Sequence, residues 1–196
     1  RRVKNLHTKE ELYSNKIFFN AALPLVKVIA NDVPSLKKQF AHVHAIIQVS
    51  AKDPDAPGGK VGMHFVVNSD EWLVHLNKVD PNPHVELEFK SVEAMNAFFK
   101  GKMSPATLPK MKGVVTHFGA FKAFLMTLLK MSSLLGATEA PKDEATKELM
   151  VKCFFYLLSS GISQLNKMGH EDIHGWTSKS PDRVYAWAVD GYPSGF

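Results

Sequence analysis

The sequence predicts an α/β protein of the α+β type, with a mainly antiparallel sheet. Between residues 42 and 90, apolar and polar side chains alternate with a period of two, which is typical of strands with one buried face. Clusters of Pro, Gly, Asn and Asp separate these segments by hairpin-length loops, which favours antiparallel pairing. Apolar spacing typical of helices occurs before this region and returns after residue 91.

The N-terminal region is predicted to be helical. Residues 1–16 are polar and charged, with a short helix near Lys9–Tyr13. Ile17–Ala30 is an apolar helical segment that Pro24 should kink or divide. Asn31–Pro34 predicts a break and a helix cap, and a second helix follows over Ser35–Ala41.

Four strands follow, each with apolar side chains on one face. They are His42–Ser50, Val61–Val67, Glu71–Lys78 and Val85–Lys90. The later elements are a helix capped by Ser91 and ended by Gly101, a short strand at Met111–Val115, helices over His117–Leu135 and Asp143–Lys167, and a last strand at Arg183–Val189. The His117–Leu135 helix is not predicted to span a membrane, because Lys122 and Lys130 would each be costly there.

Composition restricts the possible partners. The chain has 196 residues, 45% hydrophobic and 22% charged, which is ordinary for a globular protein. Its net charge is +5, yet its arginines are confined to Arg1, Arg2 and Arg183. Proteins that read nucleic-acid sequence rely on arginine, so no nucleic-acid partner is predicted. An anionic head group or membrane surface needs only the point charges that lysine supplies.

Cys153 is the single cysteine, so no internal disulfide can form. This fits a reducing compartment, and we expect a cytoplasmic protein. Its neighbours in Lys152–Phe155 predict a helix interior. A buried, inert thiol is therefore favoured over a nucleophile.

No acidic residue occurs from Ala94 to Thr138, a stretch rich in Lys, Met and Phe. Its members of these three types are Lys100, Lys102, Lys110, Lys112, Lys122, Lys130, Met95, Met103, Met111, Met126, Met131, Phe98, Phe99, Phe118, Phe121 and Phe124. Large adaptable side chains among positive charges suit a lipid-like ligand near an anionic surface. The alternative is an ordinary core with a solvated basic rim.

One metal-binding motif occurs by pattern. His170–His174 matches H-E-x-x-H, which binds zinc only on a helix and with a third ligand. Gly169 and Gly175 flank the motif, and no glutamate follows Glu171. A pair of surface-loop histidines is therefore favoured over a metalloprotease, and no metal is predicted.

Histidines also recur in the predicted sheet, opposite its apolar face. They are His44, His64, His75 and His84. They can form a cross-strand metal site, a polar rim for a ligand, a wet sheet face or an oligomer contact.

Motifs for covalent chemistry are not found. No G-x-S-x-G, P-loop or dinucleotide fingerprint occurs. Glu86 and Glu88 share a strand face, but general acid–base catalysis would need a cleft and separated pKa values. A solvated strand face is favoured, so no catalytic residue and no cofactor are predicted.

Three segments together resemble a known family. Asp80–Phe89 with the following helix, Gly101–Pro105 and Lys110–Gly113 are similar to the sterol carrier protein 2 (SCP-2) lipid-transfer domain. The family has a D-P-D-V-x-L strand, a helix ending in G-K-L-S/N-P, a G-K-L-K-V-K-G-D strand and a final apolar helix. The resemblance covers about residues 35–135. Val114 departs from it, since the family has an acidic residue there.

The resemblance implies about five mainly antiparallel strands, covered on one face by helices, with an apolar tunnel between the layers. It implies a lipid-binding core over residues 35–135. Beyond the family pattern we expect an N-terminal helical extension (1–34) and a C-terminal extension (136–196) that packs on the same domain and adds a helix and a strand. Positions expected to line the tunnel are Met63, Phe65, Trp72, Phe98, Phe99, Met103, Leu108, Met111, Phe118, Phe121, Leu125 and Leu128. Lys100, Lys102, Lys110 and Lys112 are expected at its mouth, against a head group or membrane.

The function implied is non-catalytic binding, and transfer between membranes, of fatty acids, acyl-CoAs, sterols or phospholipids. The partners are then a lipid-like molecule and an anionic membrane surface, for a monomer or weak homodimer. Two alternatives remain open. One is an accessory interaction module whose core is filled by side chains, and the other is an enzyme acting on lipid esters or thioesters.

Overall fold

The computed structural model describes residues 21–99, 102–135 and 139–167. They fall into two compact units, of which the first holds residues 38–99 and 102–123. The second holds residues 21–37, 124–135 and 139–167. The division into segments 1–34, 35–135 and 136–196 stays a prediction.

Five α-helices and five β-strands occur in the part of the chain that the structure describes. In order, they are α1 (Leu25–Asp32), α2 (Pro34–Phe40), β1 (His44–Lys52), β2 (Lys60–Asn68), β3 (Glu71–His75), β4 (Val85–Phe89), α3 (Val92–Phe99), β5 (Lys110–Lys112), α4 (Phe118–Leu135) and α5 (Glu144–Lys167). The predicted helix near residues 9–13 and strand over 183–189 lie outside the described residues.

The strands form one sheet in the order β3-β2-β1-β4-β5. All neighbours are antiparallel except β1 and β4, which are parallel. The parallel pair arises because residues 76–84 return from the edge strand β3 to a place beside β1. The predicted α+β class with a five-stranded, mainly antiparallel sheet is confirmed.

The register gives the sheet two distinct faces. Ile47 lies opposite Phe65 and Val85, whereas Gln48 lies opposite His64 and Glu86. Odd-numbered positions of β1, β2 and β4 form the apolar face, as the alternation predicted, and even-numbered positions form the polar face.

Aromatic side chains fill the apolar face. The ring of Trp72 lies 4.8 Å from that of Phe40 and 5.4 Å from that of Phe65. Phe89 contacts Phe98 and Phe99 of α3 at 5.4 and 5.5 Å. These contacts fix α3 against the sheet by burial of large rings.

The ends of the helices follow local chemistry. The Ala94 amide donates to Ser91 Oγ at 3.1 Å, so the predicted cap of α3 is confirmed. Pro24 directly precedes α1, so the predicted division at this residue is confirmed. Val33 is extended and separates α1 from α2, within the predicted break. Strand β3 ends at His75, earlier than predicted, where Asn77 has a φ of 53°.

In the second unit, α1 packs against α5. Lys152 forms a salt bridge with Asp32. Beside it Cys153 is buried, and burial together with the Asp32 charge raises the pKa of its thiol to about 11. The prediction of a buried thiol is confirmed, and its raised pKa keeps it protonated at neutral pH.

No described helix is long and apolar enough to cross a bilayer.

Gly113 should be sensitive to substitution. Its φ is 77°, and a Cβ would lie 1.8 Å from the His84 carbonyl oxygen. We expect Gly113→Ala to lower the free energy of unfolding by at least about 2 kcal/mol, measured by urea denaturation. Gly119→Ala is the control, because a Cβ there meets nothing within 4 Å. Equal stability of the two variants would contradict the close approach of Gly113 to His84.

Candidate functional site

The predicted tunnel residues of the sheet lie in the core of the first unit. Met63, Phe65 and Trp72 are buried. Phe98 and Phe99 of α3 are partly exposed around Phe89. The lining role of these side chains stays a prediction.

The predicted tunnel residues after α3 are much more exposed. Met103, Leu108, Met111 and Phe118 have exposed fractions of 70%, 49%, 47% and 60%. Val115, which is not among the predicted tunnel residues, is 91% exposed. We call residues 102–118 the basic–apolar stretch. On the rest of α4, Phe121 is buried, Leu128 is half-buried and Leu125 is exposed. The lining role of all these residues also stays a prediction.

A hydrogen-bonded turn positions the start of the basic–apolar stretch. Thr107 Oγ1 donates to the Lys102 carbonyl at 2.6 Å and accepts from the Ser104 amide at 2.9 Å. The Thr107 amide also donates to the Ser104 carbonyl. These bonds fix the turn on which Met103 lies, and the Met103 side chain there is 70% exposed.

Strand β5 presents different chemistry on its two sides. Met111 pairs with Leu87 and lies on the apolar face, while Lys110 and Lys112 pair with Glu88 and Glu86 on the polar face. Alternation along an edge strand therefore places an exposed apolar side chain between two lysines.

The four lysines predicted at the tunnel mouth have different surroundings. Lys102 and Lys110 are exposed and form no ion pair with the described residues. Lys112 instead binds two carboxylates on the polar face. Lys100 lies outside the described residues. Their contact with a head group or membrane stays a prediction.

A buried charged cluster occupies the polar face of the sheet. Oε1 of Glu86 accepts from Ser50 Oγ at 2.6 Å, Gln48 Nε2 at 2.9 Å and Lys60 Nζ at 3.2 Å. Its Oε2 accepts from Lys112 Nζ at 2.9 Å. The cluster therefore joins side chains from β1, β2, β4 and β5.

Glu88 completes the cluster. Its Oε2 contacts both Lys60 and Lys112. The side chains of Glu86 and Glu88 are only 2% and 8% exposed. The favoured interpretation of a solvated strand face is wrong for these two residues. Lys60 and Lys112 pair with both carboxylates, and the connection after β3 folds back beside Glu86.

Hydrogen bonds control the ionisation of this cluster. Burial alone would raise the pKa of Glu86, but bonds from Ser50, Lys112, Gln48 and Lys60 outweigh it and lower that pKa to about 2. Burial would also raise the pKa of Glu88, but the hydrogen bonds and charges of Lys60 and Lys112 outweigh it, so that pKa is lowered. The bond to Glu86 raises the pKa of Lys112. All three groups are therefore charged at neutral pH.

A cavity of about 560 Å³ lies over this cluster. Its lining residues are Pro57, Gly58, Lys60, Val79, Asp80, Pro81, Asn82, Pro83, Glu86 and Lys112. Gln48 holds one wall, because its Oε1 accepts from the Asp80 amide at 2.6 Å and its Nε2 donates to the Asp80 carbonyl at 3.3 Å. The volume is in the range of small-molecule sites. Sequence reasoning missed this cavity, because its walls are brought together only by the return of residues 76–84.

The sheet histidines do not form one group. His64 and His75 stack at 4.6 Å, and His64 Nδ1 lies 2.8 Å from the Lys78 carbonyl. His84 packs instead on His117 at 4.9 Å, and His44 bonds to Asn68. Among the residues that the structure describes, no three His, Cys, Asp or Glu side chains are placed to hold a metal ion. The H-E-x-x-H motif at 170–174 lies outside them.

Comparison with known proteins gives likeness only at the level of structure. No protein-family model and no curated protein match the chain. A crystal structure of sterol carrier protein 2 is similar, with a TM-score of 0.40 and 11% identity, over 67% of this chain and 97% of that one. A solution structure of a conserved hypothetical protein from Thermus thermophilus is similar with a TM-score of 0.34 and 9% identity, over 74% of this chain and 90% of that one. Sterol carrier protein 2, whose family the sequence resembles, is therefore among the structures to which this chain is similar, and the likeness concerns the fold alone.

The charged cluster should make stability depend on acid pH. Glu86 has its pKa lowered from 4.5 to about 2, so its contribution is complete above pH 4.5 and is lost as the pH falls towards 2. A shift of this size corresponds to about 3 kcal/mol. We expect Glu86→Gln to unfold at lower urea concentration at pH 7 and to lose less stability than the wild type between pH 4.5 and 2.

The matched control for that prediction is Glu71→Gln, which removes an exposed carboxylate from β3 of the same sheet. It should follow the wild-type pH profile. If Glu86→Gln also follows that profile, the cluster does not hold the Glu86 carboxylate as described.

Proposed function

We propose that the protein binds lipids without covalent chemistry, and that its basic–apolar stretch is where lipid or membrane first makes contact. One observation carries the proposal. Five large apolar side chains are exposed between residues 103 and 118, next to exposed lysines and without any acidic residue. A contiguous exposed apolar patch marks an interaction surface, and we propose that these side chains form one.

The physical chemistry of the stretch matches a lipid better than a polar partner. Each buried methylene of a ligand contributes about 0.8 kcal/mol, so a long acyl chain binds usefully without a specific polar anchor. A lysine near an anionic membrane contributes about 1 kcal/mol. Met103 and Met111 add side chains that adapt to ligands of varied shape.

The ligand class follows from the motif resemblance. We propose fatty acids, acyl-CoAs, sterols or phospholipids, held in an apolar tunnel and carried between membranes in the cytoplasm. No residue is assigned a catalytic role, and a monomer or weak homodimer would suffice. The buried Met63, Phe65 and Trp72 belong to the wall of that tunnel in this proposal.

A second candidate is supported by the aromatic packing. Trp72 contacts both Phe40 and Phe65 on the apolar face, which is also what a side-chain-filled core requires. The protein would then be an accessory module whose basic–apolar stretch docks another protein. Lipid that co-purifies with the protein, detected by native mass spectrometry, separates the two functions in favour of the first.

Delipidated protein titrated with a fluorescent fatty acid tests lipid binding directly. We expect saturable binding that weakens about tenfold in a Met103→Gln/Val115→Gln double variant, because apolar contact area is lost. Val151→Gln is the control, since Val151 is exposed on α5. Absence of saturable binding in the wild type would reject the proposal.

Vesicle binding tests the role of charge. We expect a Lys102→Gln/Lys110→Gln variant to bind anionic phosphatidylserine vesicles about tenfold more weakly, with a flatter dependence on salt, in a sedimentation assay. Lys37→Gln/Lys38→Gln removes two exposed lysines from α2 and serves as the charge-matched control. If both variants weaken binding equally, net charge rather than the basic–apolar stretch governs the contact.

A further inference from the structure

We propose that the cavity on the polar face is a second binding site, which takes a phosphate or carboxylate group between Lys60 and Lys112. This inference does not rest on lipid binding by the basic–apolar stretch. The cavity lies on the other face of the sheet from Met63, Phe65 and Trp72, and its lining residues all belong to the first unit.

The two lysines have hydrogen-bonding capacity left for a ligand. An ammonium group has three donors. Lys60 uses two, on Glu86 and Glu88, and Lys112 also uses two, on the same pair of carboxylates. Among the described contacts, each therefore keeps one N–H, and both lysines line the cavity.

Burial decides which charge an entering ligand meets. The side chains of Glu86 and Glu88 are 2% and 8% exposed, whereas those of Lys60 and Lys112 are 29% and 43% exposed. Glu86 also lines the cavity, but both carboxylates are already bonded to several donors, and the lysines are the more exposed partners. Glu86 and Glu88 hold the ammonium groups of Lys60 and Lys112 close together, and two such charged donors suit an oxyanion.

The other walls limit the size and nature of the ligand. Pro57, Val79, Pro81 and Pro83 are apolar, while Asp80 adds one carboxylate. Its Oδ1 accepts from the Asn82 amide at 2.8 Å. A compact molecule with one anionic group and an uncharged remainder fits these walls, while a second anionic group would be repelled by Asp80.

Titration calorimetry at pH 7 with inorganic phosphate and with glycerol 3-phosphate tests the site. We expect saturable binding that weakens about tenfold in Lys112→Met/Glu88→Gln, which removes one donor and keeps the charges balanced. Lys52→Met is the control, because Lys52 is exposed on β1 of the same sheet but does not line the cavity. Equal weakening by the control, or no binding of either probe to the wild type, would overturn the proposal.

A second variant leaves the charged cluster intact in case the first does not fold. Asn82→Trp places a large ring at an exposed position on the cavity wall. It should weaken glycerol 3-phosphate binding about tenfold, and unchanged affinity in this folded variant would overturn the site. Dihexanoyl phosphatidic acid distinguishes the source of the group. If it binds this cavity as tightly as glycerol 3-phosphate does, the natural ligand is a soluble phosphate ester. If it binds more tightly and Asn82→Trp weakens that binding about tenfold, the ligand is a lipid head group.

Discussion

The desolvated carboxylate of Glu86 is the constraint on which the sheet depends. A buried charge is tolerated only when it is paired and hydrogen-bonded, and Glu86 accepts from Ser50, Gln48, Lys60 and Lys112. Those four donors come from three other strands. Each strand must therefore hold its register, because a slip of one residue would send its donor to the apolar face.

Gln48 connects this cluster with the unusual topology. Its side chain donates to Glu86 and also pairs with the backbone of Asp80. The connection from β3 is thereby held over the polar face, and the next strand enters parallel to β1. Satisfaction of one buried amide thus links the charged cluster, the cavity wall and the strand order.

Features that depend on neighbouring residues were predictable from the sequence, whereas contacts between segments distant in the chain were not. The Ser91 cap, the division at Pro24 and the alternation in β1, β2 and β4 depend on neighbouring residues, which a sequence displays directly. The burial of Glu86 depends on residues 76–84 folding back across the sheet. Alternation identifies a polar face of the sheet but does not show whether that face is exposed to solvent or covered by another segment. The exposure of Met103 and Val115 was likewise hidden, because composition does not show which apolar residues lie beyond the edge of a sheet.

Strand β5 contributes to both proposed sites because it is short and lies at the edge of the sheet. Its outer side is unpaired among the described strands, so Met111 remains exposed although it faces the apolar side. Lys112, one residue later, reaches the Glu86 carboxylate on the other face. The close approach of Gly113 to His84 then fixes where the strand ends. Three consecutive residues therefore connect the basic–apolar stretch to the polar cavity, while alternation keeps their chemistry on separate faces.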